Sequence, residues 1–88
     1  METYKIEFTR SSYKELGRIH RDYGELIVKK IEKLSENPRP MQSIKLSGNG
    51  KANKYRLRIG DYRIIYEIDD KSKLVTIFGI KHRREAYR

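Results

Sequence analysis

Between Lys54 and Glu67 the chain interleaves bulky apolar side chains with basic ones. Tyr55, Leu57 and Ile59 alternate with Lys54, Arg56 and Arg58; past Gly60-Asp61, Tyr62, Ile64 and Tyr66 alternate with Arg63, Ile65 and Glu67. A guanidinium stays protonated and offers a planar fork of donors, which suits it to holding phosphate oxygens in pairs and makes it a poor proton shuttle. A second basic stretch follows, Lys81-His82-Arg83-Arg84, with Tyr87 close behind. It supplies further phosphate contacts, a histidine of the type that moves protons near neutral pH, and an aromatic ring able to stack on an unpaired base. Together these residue types point to a phosphodiester held on a protein surface. The candidate contacts are Arg56, Arg58, Arg63, Lys81, Arg83 and Tyr87, with Lys54, His82 and Arg84 beside them.

Gly60-Asp61 has the composition of a two-residue hairpin turn, and such a turn fixes the register. Arg58 then faces Arg63, Arg56 faces Ile65, Tyr55 faces Tyr66 and Lys54 faces Glu67. One face of the hairpin carries Tyr55, Leu57, Ile59, Tyr62, Ile64 and Tyr66 and belongs on a core. The other carries Lys54, Arg56, Arg58 and Arg63. A basic strand is usually just a solvated face, but like charges directly opposed on a sheet are destabilising. An anion resting on that face would offset the repulsion.

The rest of the chain must position this hairpin. Tyr4, Ile6 and Phe8 alternate with Lys5, Glu7 and Thr9, as in a half-buried strand. Thr9 is a helix cap ahead of Tyr13, Leu16 and Ile19. Asp22-Tyr23-Gly24-Glu25 reads as a capping box, with Asp22 as N-cap and Glu25 reaching back. The stripe Tyr23, Leu26, Ile27, Ile31 and Leu34 follows, ended by Asn37-Pro38-Arg39-Pro40. Ile44 and Leu46 form a short extended segment, Ser47-Gly48-Asn49-Gly50 a turn, and Leu74 to Ile80 a final β-rich run. The expected fold is α+β: an N-terminal strand, then an antiparallel helical hairpin packed on one face of a mainly antiparallel sheet of four to five strands, with the other face partly open.

Bulk properties narrow the function. The 88 residues are expected to make one domain, 1–88, with a modest core and its site on an exposed face. Formal net charge is +9. Residues 1–44 hold 9 basic and 7 acidic side chains, residues 45–88 hold 12 and 5, so the excess sits with the hairpin and tail. That balance favours nucleic acid as partner. No apolar run approaches the roughly 20 residues of a membrane span, and no signal-peptide stretch opens the chain. Cysteine is absent. A cytoplasmic protein with no membrane role is expected. Walker, GxGxxG, CxxC and HExxH patterns are missing, and His20 and His82 with scattered carboxylates make no ligand set. Neither cofactor nor metal is expected.

In combination, Tyr4-Lys5-Ile6-Glu7-Phe8, Ile31-Glu32-Lys33-Leu34 with Asn37-Pro38-Arg39-Pro40, Lys45-Leu46-Ser47-Gly48, the hairpin Tyr55 to Tyr66, and the tail His82-Arg83-Arg84-Glu85-Ala86-Tyr87 resemble the RelE/ParE superfamily of type II toxin–antitoxin toxins. The resemblance spans nearly the whole chain and is strongest in the hairpin. It implies an mRNA interferase of the RelE-like branch: a ribosome-dependent endoribonuclease in which the RNA 2′-hydroxyl attacks the adjacent phosphate, halting translation. The family's basic hairpin positions fall on Arg56 and Arg58, and its arginine on the next strand falls on Arg63. Its C-terminal arginine falls on Lys81 or Arg83, and its C-terminal tyrosine on Tyr87. Well-known ribosome-cutting members carry lysines where this chain has Arg56 and Arg58. The general base is therefore open among Lys54, His82, Lys81 and Tyr87. The resemblance also implies an acidic, RelB-like antitoxin as partner, beside the ribosome and mRNA. Two alternatives stay open: a ParE-like gyrase inhibitor, and an RNA- or ribosome-binding module without chemistry.

Overall fold

The computed structural model describes residues 3–47 and 53–86. The chain runs β1 (Lys5–Phe8), α1 (Arg10–Gly17), α2 (Arg21–Glu32), a 3-10 turn (Lys33–Ser35), β2 (Ser43–Ser47), β3 (Asn53–Ile59), β4 (Tyr62–Asp69), β5 (Leu74–His82) and α3 (Arg83–Ala86). This is the expected α+β order. The strands form one sheet in the order β1-β5-β4-β3-β2. All neighbours are antiparallel except β1 and β5, which run parallel. No described helix is long and apolar enough to cross a membrane.

The core follows from the two periodicities. Ile27, Ile31 and Leu34 come from the α2 stripe. They bury against Tyr55, Leu57 and Ile59 of β3, Ile64, Tyr66 and Ile68 of β4, and Val75, Ile77 and Ile80 of β5. Each such side chain contributes about 1.5–3 kcal/mol by leaving water. Leu26 does not join them and is 43% exposed.

Thr9 caps α1 as expected, accepting from the Ser12 amide at 3.2 Å. The capping box at Asp22 is not formed. His20 is the N-cap of α2, its Nδ1 accepting from the Asp22 amide at 3.3 Å, while Glu25 faces Arg21 at 3.5 Å. The helix begins earlier than the Asp-x-x-Glu spacing suggests, because an imidazole nitrogen accepts the orphan N–H as well as a carboxylate does.

Helix α1 is pinned to β5. The fully buried Ser12 hydroxyl reaches Thr9 O at 3.0 Å and Ile77 O at 2.8 Å, and the Thr9 amide donates to Ile77 O at 3.0 Å. Ser12→Ala is expected to cost about 1–2 kcal/mol, read as a lower urea midpoint with an unchanged slope.

At the opposite end, Arg39 clasps the β4–β5 turn. Its guanidinium meets both Asp70 oxygens at 3.2 and 2.8 Å and donates from Nε to Tyr55 Oη at 2.9 Å, while Tyr4 Oη donates to Asp70 at 2.6 Å. Arg39, then Tyr4, hold the Asp70 carboxyl down from 3.8 to about 2. A depressed carboxyl stabilises the fold above its ordinary value and loses that contribution as pH falls toward 2. Thermal melting followed from pH 5 to 2 is expected to fall more steeply in the wild type than in Asp70→Asn. The pair is half exposed, so the difference is modest. Deeper in, Tyr66 Oη donates to Pro38 O at 2.8 Å, and burial raises its phenol above the ordinary value.

Candidate nucleic-acid interface

The register expected from the Gly60-Asp61 turn is the register observed. Ile59 pairs with Tyr62, Arg58 with Arg63, Leu57 with Ile64, Arg56 with Ile65, Tyr55 with Tyr66 and Lys54 with Glu67. Gly60 adopts a left-handed φ of +58°, and the Tyr23 hydroxyl underneath accepts from the Asp61 amide at 2.9 Å. The core face therefore takes the aromatic and aliphatic partners and leaves the arginines on the far side of the sheet.

Strand β5 extends this pattern. Arg63 pairs with Lys81, so Arg58, Arg63 and Lys81 lie side by side across three adjacent strands. In the next row, Ile44, Arg56, Ile65 and Gly79 run across four strands. An open groove of about 500 Å³ is lined by Gln42, Ile44, Arg56, Arg58, Gly60 and Arg63. Arg58 is exposed, Arg56 and Arg63 half-buried. Arg58 Nε has a long bond to Gly60 O at 3.3 Å, so it stays available to an incoming anion. Lys54 lies on the same face beyond Arg56, opposite Glu67, and is exposed.

A bulge interrupts β5 where Ile65 pairs with Gly79 and Tyr66 with Ile77. The extra residue puts both Phe78 and Gly79 on the open side and restores Ile80 to the core. Phe78 is 40% exposed.

The remaining candidates divide. Lys81 joins the arginine row. His82 does not: it pairs with Tyr62 on the helix-covered face, its ring edge-on to Tyr62 at 5.2 Å, and Tyr62 in turn packs on Tyr23 at 5.1 Å. His82 Nδ1 accepts from the Arg84 amide at 3.3 Å and so opens α3. Arg83 binds the hairpin tip, its amide donating to Asp61 O at 2.7 Å and its guanidinium 3.9 Å from the Asp61 carboxylate. With Asp61 and His82, Arg83 and Arg84 line a separate hollow of about 630 Å³ around the tip. Tyr87 lies outside the described residues.

One residue of this region was not among the sequence candidates. Glu15 of α1 accepts from the Ile80 amide at 3.0 Å with one oxygen and ion-pairs with the Lys81 amine through the other. On sequence it reads as an ordinary outward-facing helix acid. A larger cavity of about 770 Å³ lies between α2 and the end of β3, with Leu26, Lys30, Lys33 and Leu57 in its wall. Arg58 also lines it, while Arg56, Arg63 and Lys81 do not.

Fold and face define a class: small α+β domains whose sheet is covered by helices on one side and carries ordered rows of cations on the other. The family model for the ParE toxin of the type II toxin-antitoxin system, parDE, matches residues 6–87. The chain is 28% identical over 86 residues to the mRNA interferase toxin RelE of Escherichia coli strain K12, covering 96% of this chain and 90% of that protein. Among solved structures, the archaeal RelE–RelB complex from Pyrococcus horikoshii contains a chain 31% identical, with a TM-score of 0.84 over 92% of this chain and 96% of that one. The RelBE2 toxin–antitoxin complex from Mycobacterium tuberculosis contains one 26% identical, with a TM-score of 0.79 over 94% of each. The chain belongs to the RelE/ParE superfamily of type II toxin–antitoxin toxins.

Proposed function

We propose that this toxin is a ribosome-dependent endoribonuclease acting on mRNA in the cytoplasm. The observation that carries the reading is the in-register row Arg58–Arg63–Lys81, with Arg56 one row along, on an open sheet face. Opposed cations cost a sheet stability, and a phosphodiester laid across them removes that cost. The identity to proteins named mRNA interferase supports the same reading.

In the proposed reaction the 2′-oxygen forms a bond to the adjacent phosphorus and the bond from phosphorus to the 5′-oxygen breaks. A cyclic phosphate and a 5′-hydroxyl result. One proton leaves the 2′-hydroxyl and one reaches the departing oxygen. Arg56 and Arg58 hold the phosphate, and Arg63 with Lys81 stabilises the charge that builds on it. Arginines cannot take the proton, which leaves Lys54 or Tyr87 as the proposed acceptor, while the Lys81 ammonium, paired with Glu15, can give one to the departing oxygen. Lys54 extends the backbone contacts. His82, Arg83 and Arg84 sit around the hairpin tip and serve RNA or ribosome binding there. The ribosome aligns the attacking hydroxyl, and alignment alone is a large rate factor.

The inhibitory partner is proposed to be an acidic, RelB-like antitoxin whose segment folds over the basic face. The RelE–RelB complexes among the structural relatives support it.

The test is an assay with ribosomes programmed with a defined message. Cleavage within codons is expected, lost in Arg63→Ala and suppressed by the neighbouring gene product. Wild-type protein that binds programmed ribosomes and yields no cut product would overturn the reaction. The family model's ParE description favours one second reading, gyrase poisoning. DNA damage on expression with intact messages would establish it instead.

A further inference from the structure

Lys81, at the β5 end of the row, is held by an acid from another element. Strand β1 ends at Phe8, opposite Ile77, so β5 runs on beyond its outer neighbour. Glu15 sits at that bare edge, its side chain only 17% exposed. One carboxylate oxygen takes the Ile80 amide at 3.0 Å; the other takes the Lys81 amine. A Cβ built on Gly79 would sit 3.5 Å from Lys81 Cε, so the lysine stem lies back across Gly79 toward the edge. An ammonium has three donors. Glu15 uses one, and the Lys81 side chain remains 44% exposed.

We propose that Glu15 is a positioning residue for RNA cleavage: its carboxylate fixes the Lys81 amine at the β5 end of the Arg58–Arg63 row, where its other donors meet the substrate phosphate. The inference rests on the ribonuclease reading above. A merely structural acid would need only an oxygen for the Ile80 amide. Here the second oxygen is spent on a cation of the proposed site. A lysine carries a long, rotatable stem, and directly beside Arg63 it would swing away from like charge. The carboxylate fixes it in one place before RNA arrives.

Glu15→Gln separates the two duties, since the amide oxygen still accepts from Ile80 while the charge on Lys81's partner is gone. Turnover on programmed ribosomes is expected to fall by up to about 100-fold with KM unchanged, the size of effect that misplacing a reacting group by about 1 Å can produce. In a Lys81→Ala background the same change is expected to do nothing more. The Lys81 ammonium signal in ¹⁵N-lysine NMR, protected from exchange in the wild type, is expected to lose that protection in Glu15→Gln. Wild-type cleavage with equal losses in both backgrounds, or with no loss at all, would sink this role alone. A wild type that cuts nothing, with the ammonium signal behaving as described, would sink the ribonuclease reading and this role with it.

Discussion

Replacing Arg63 with alanine is expected to lower single-turnover mRNA cleavage by about 10²–10³-fold, the loss of one preorganised charge-stabilising group, or about 2.7–4 kcal/mol of barrier. Arg63 is the centre of the row, with Arg58 on one side and Lys81 on the other. Arg58→Thr is the informative companion. It removes one member of a directly opposed like-charge pair and installs a good strand former. The protein is expected to gain about 0.5 kcal/mol, a rise in melting temperature of about 2–4 °C, while cleavage falls. Stability and activity moving in opposite directions is the signature of residues kept for a substrate. If Arg58→Thr melted lower and cut normally, the row would be a solvated surface and nothing more.

The largest effect on folding is expected at Gly60. A Cβ there would lie 1.6 Å from Tyr23 Oη and 2.8 Å from its Cζ, at a φ of +58°. The ring cannot step aside cheaply, because it packs on Tyr62 at 5.1 Å and its hydroxyl holds the Asp61 amide. Left-handed strain of about 1–2 kcal/mol adds to overpacking of about 1–3 kcal/mol. Gly60→Val is therefore expected to destabilise by about 3 kcal/mol, a fall of about 12–24 °C in melting temperature. In a Tyr23→Ala background the same substitution should cost only the strain. Equal penalties in both backgrounds would show that the turn conformation alone, and not its seat on α2, demands glycine.

The parts of the structure legible from sequence are those set by local rules. A two-residue turn determines which residues oppose, and strand alternation then separates Tyr55, Leu57 and Ile59 from Arg56 and Arg58 without any long-range information. The same holds for Thr9, whose cap depends on residues one turn away. What escaped depends on distant partners or on a shift of phase. The Arg39–Asp70 clasp and the Glu15–Lys81 pair join segments far apart in sequence, and nothing around Glu15 distinguishes it from Glu7 or Glu25. On sequence His82 groups with its basic neighbours, yet it shares the phase of Ile80 and packs beneath the sheet. The signal was Gly79: a glycine inside a strand marks a bulge, and counting alternation afresh beyond it puts Lys81 and His82 on opposite faces.

The parallel pairing of β1 with β5 also dictates an order of assembly. Lys5 meets Leu74 and Phe8 meets Ile77 across almost the whole described chain, whereas β3 and β4 meet across a two-residue turn. Closing the longer loop costs more chain entropy and repays it later, so the rate-limiting ensemble should contain the hairpin and lack the N-terminal strand. Truncating Ile6 is then expected to speed unfolding and leave the refolding rate nearly untouched, while truncating Leu57 slows refolding. The arginine rows would be the first region of the molecule to take shape, and the brace that Glu15 applies to them the last.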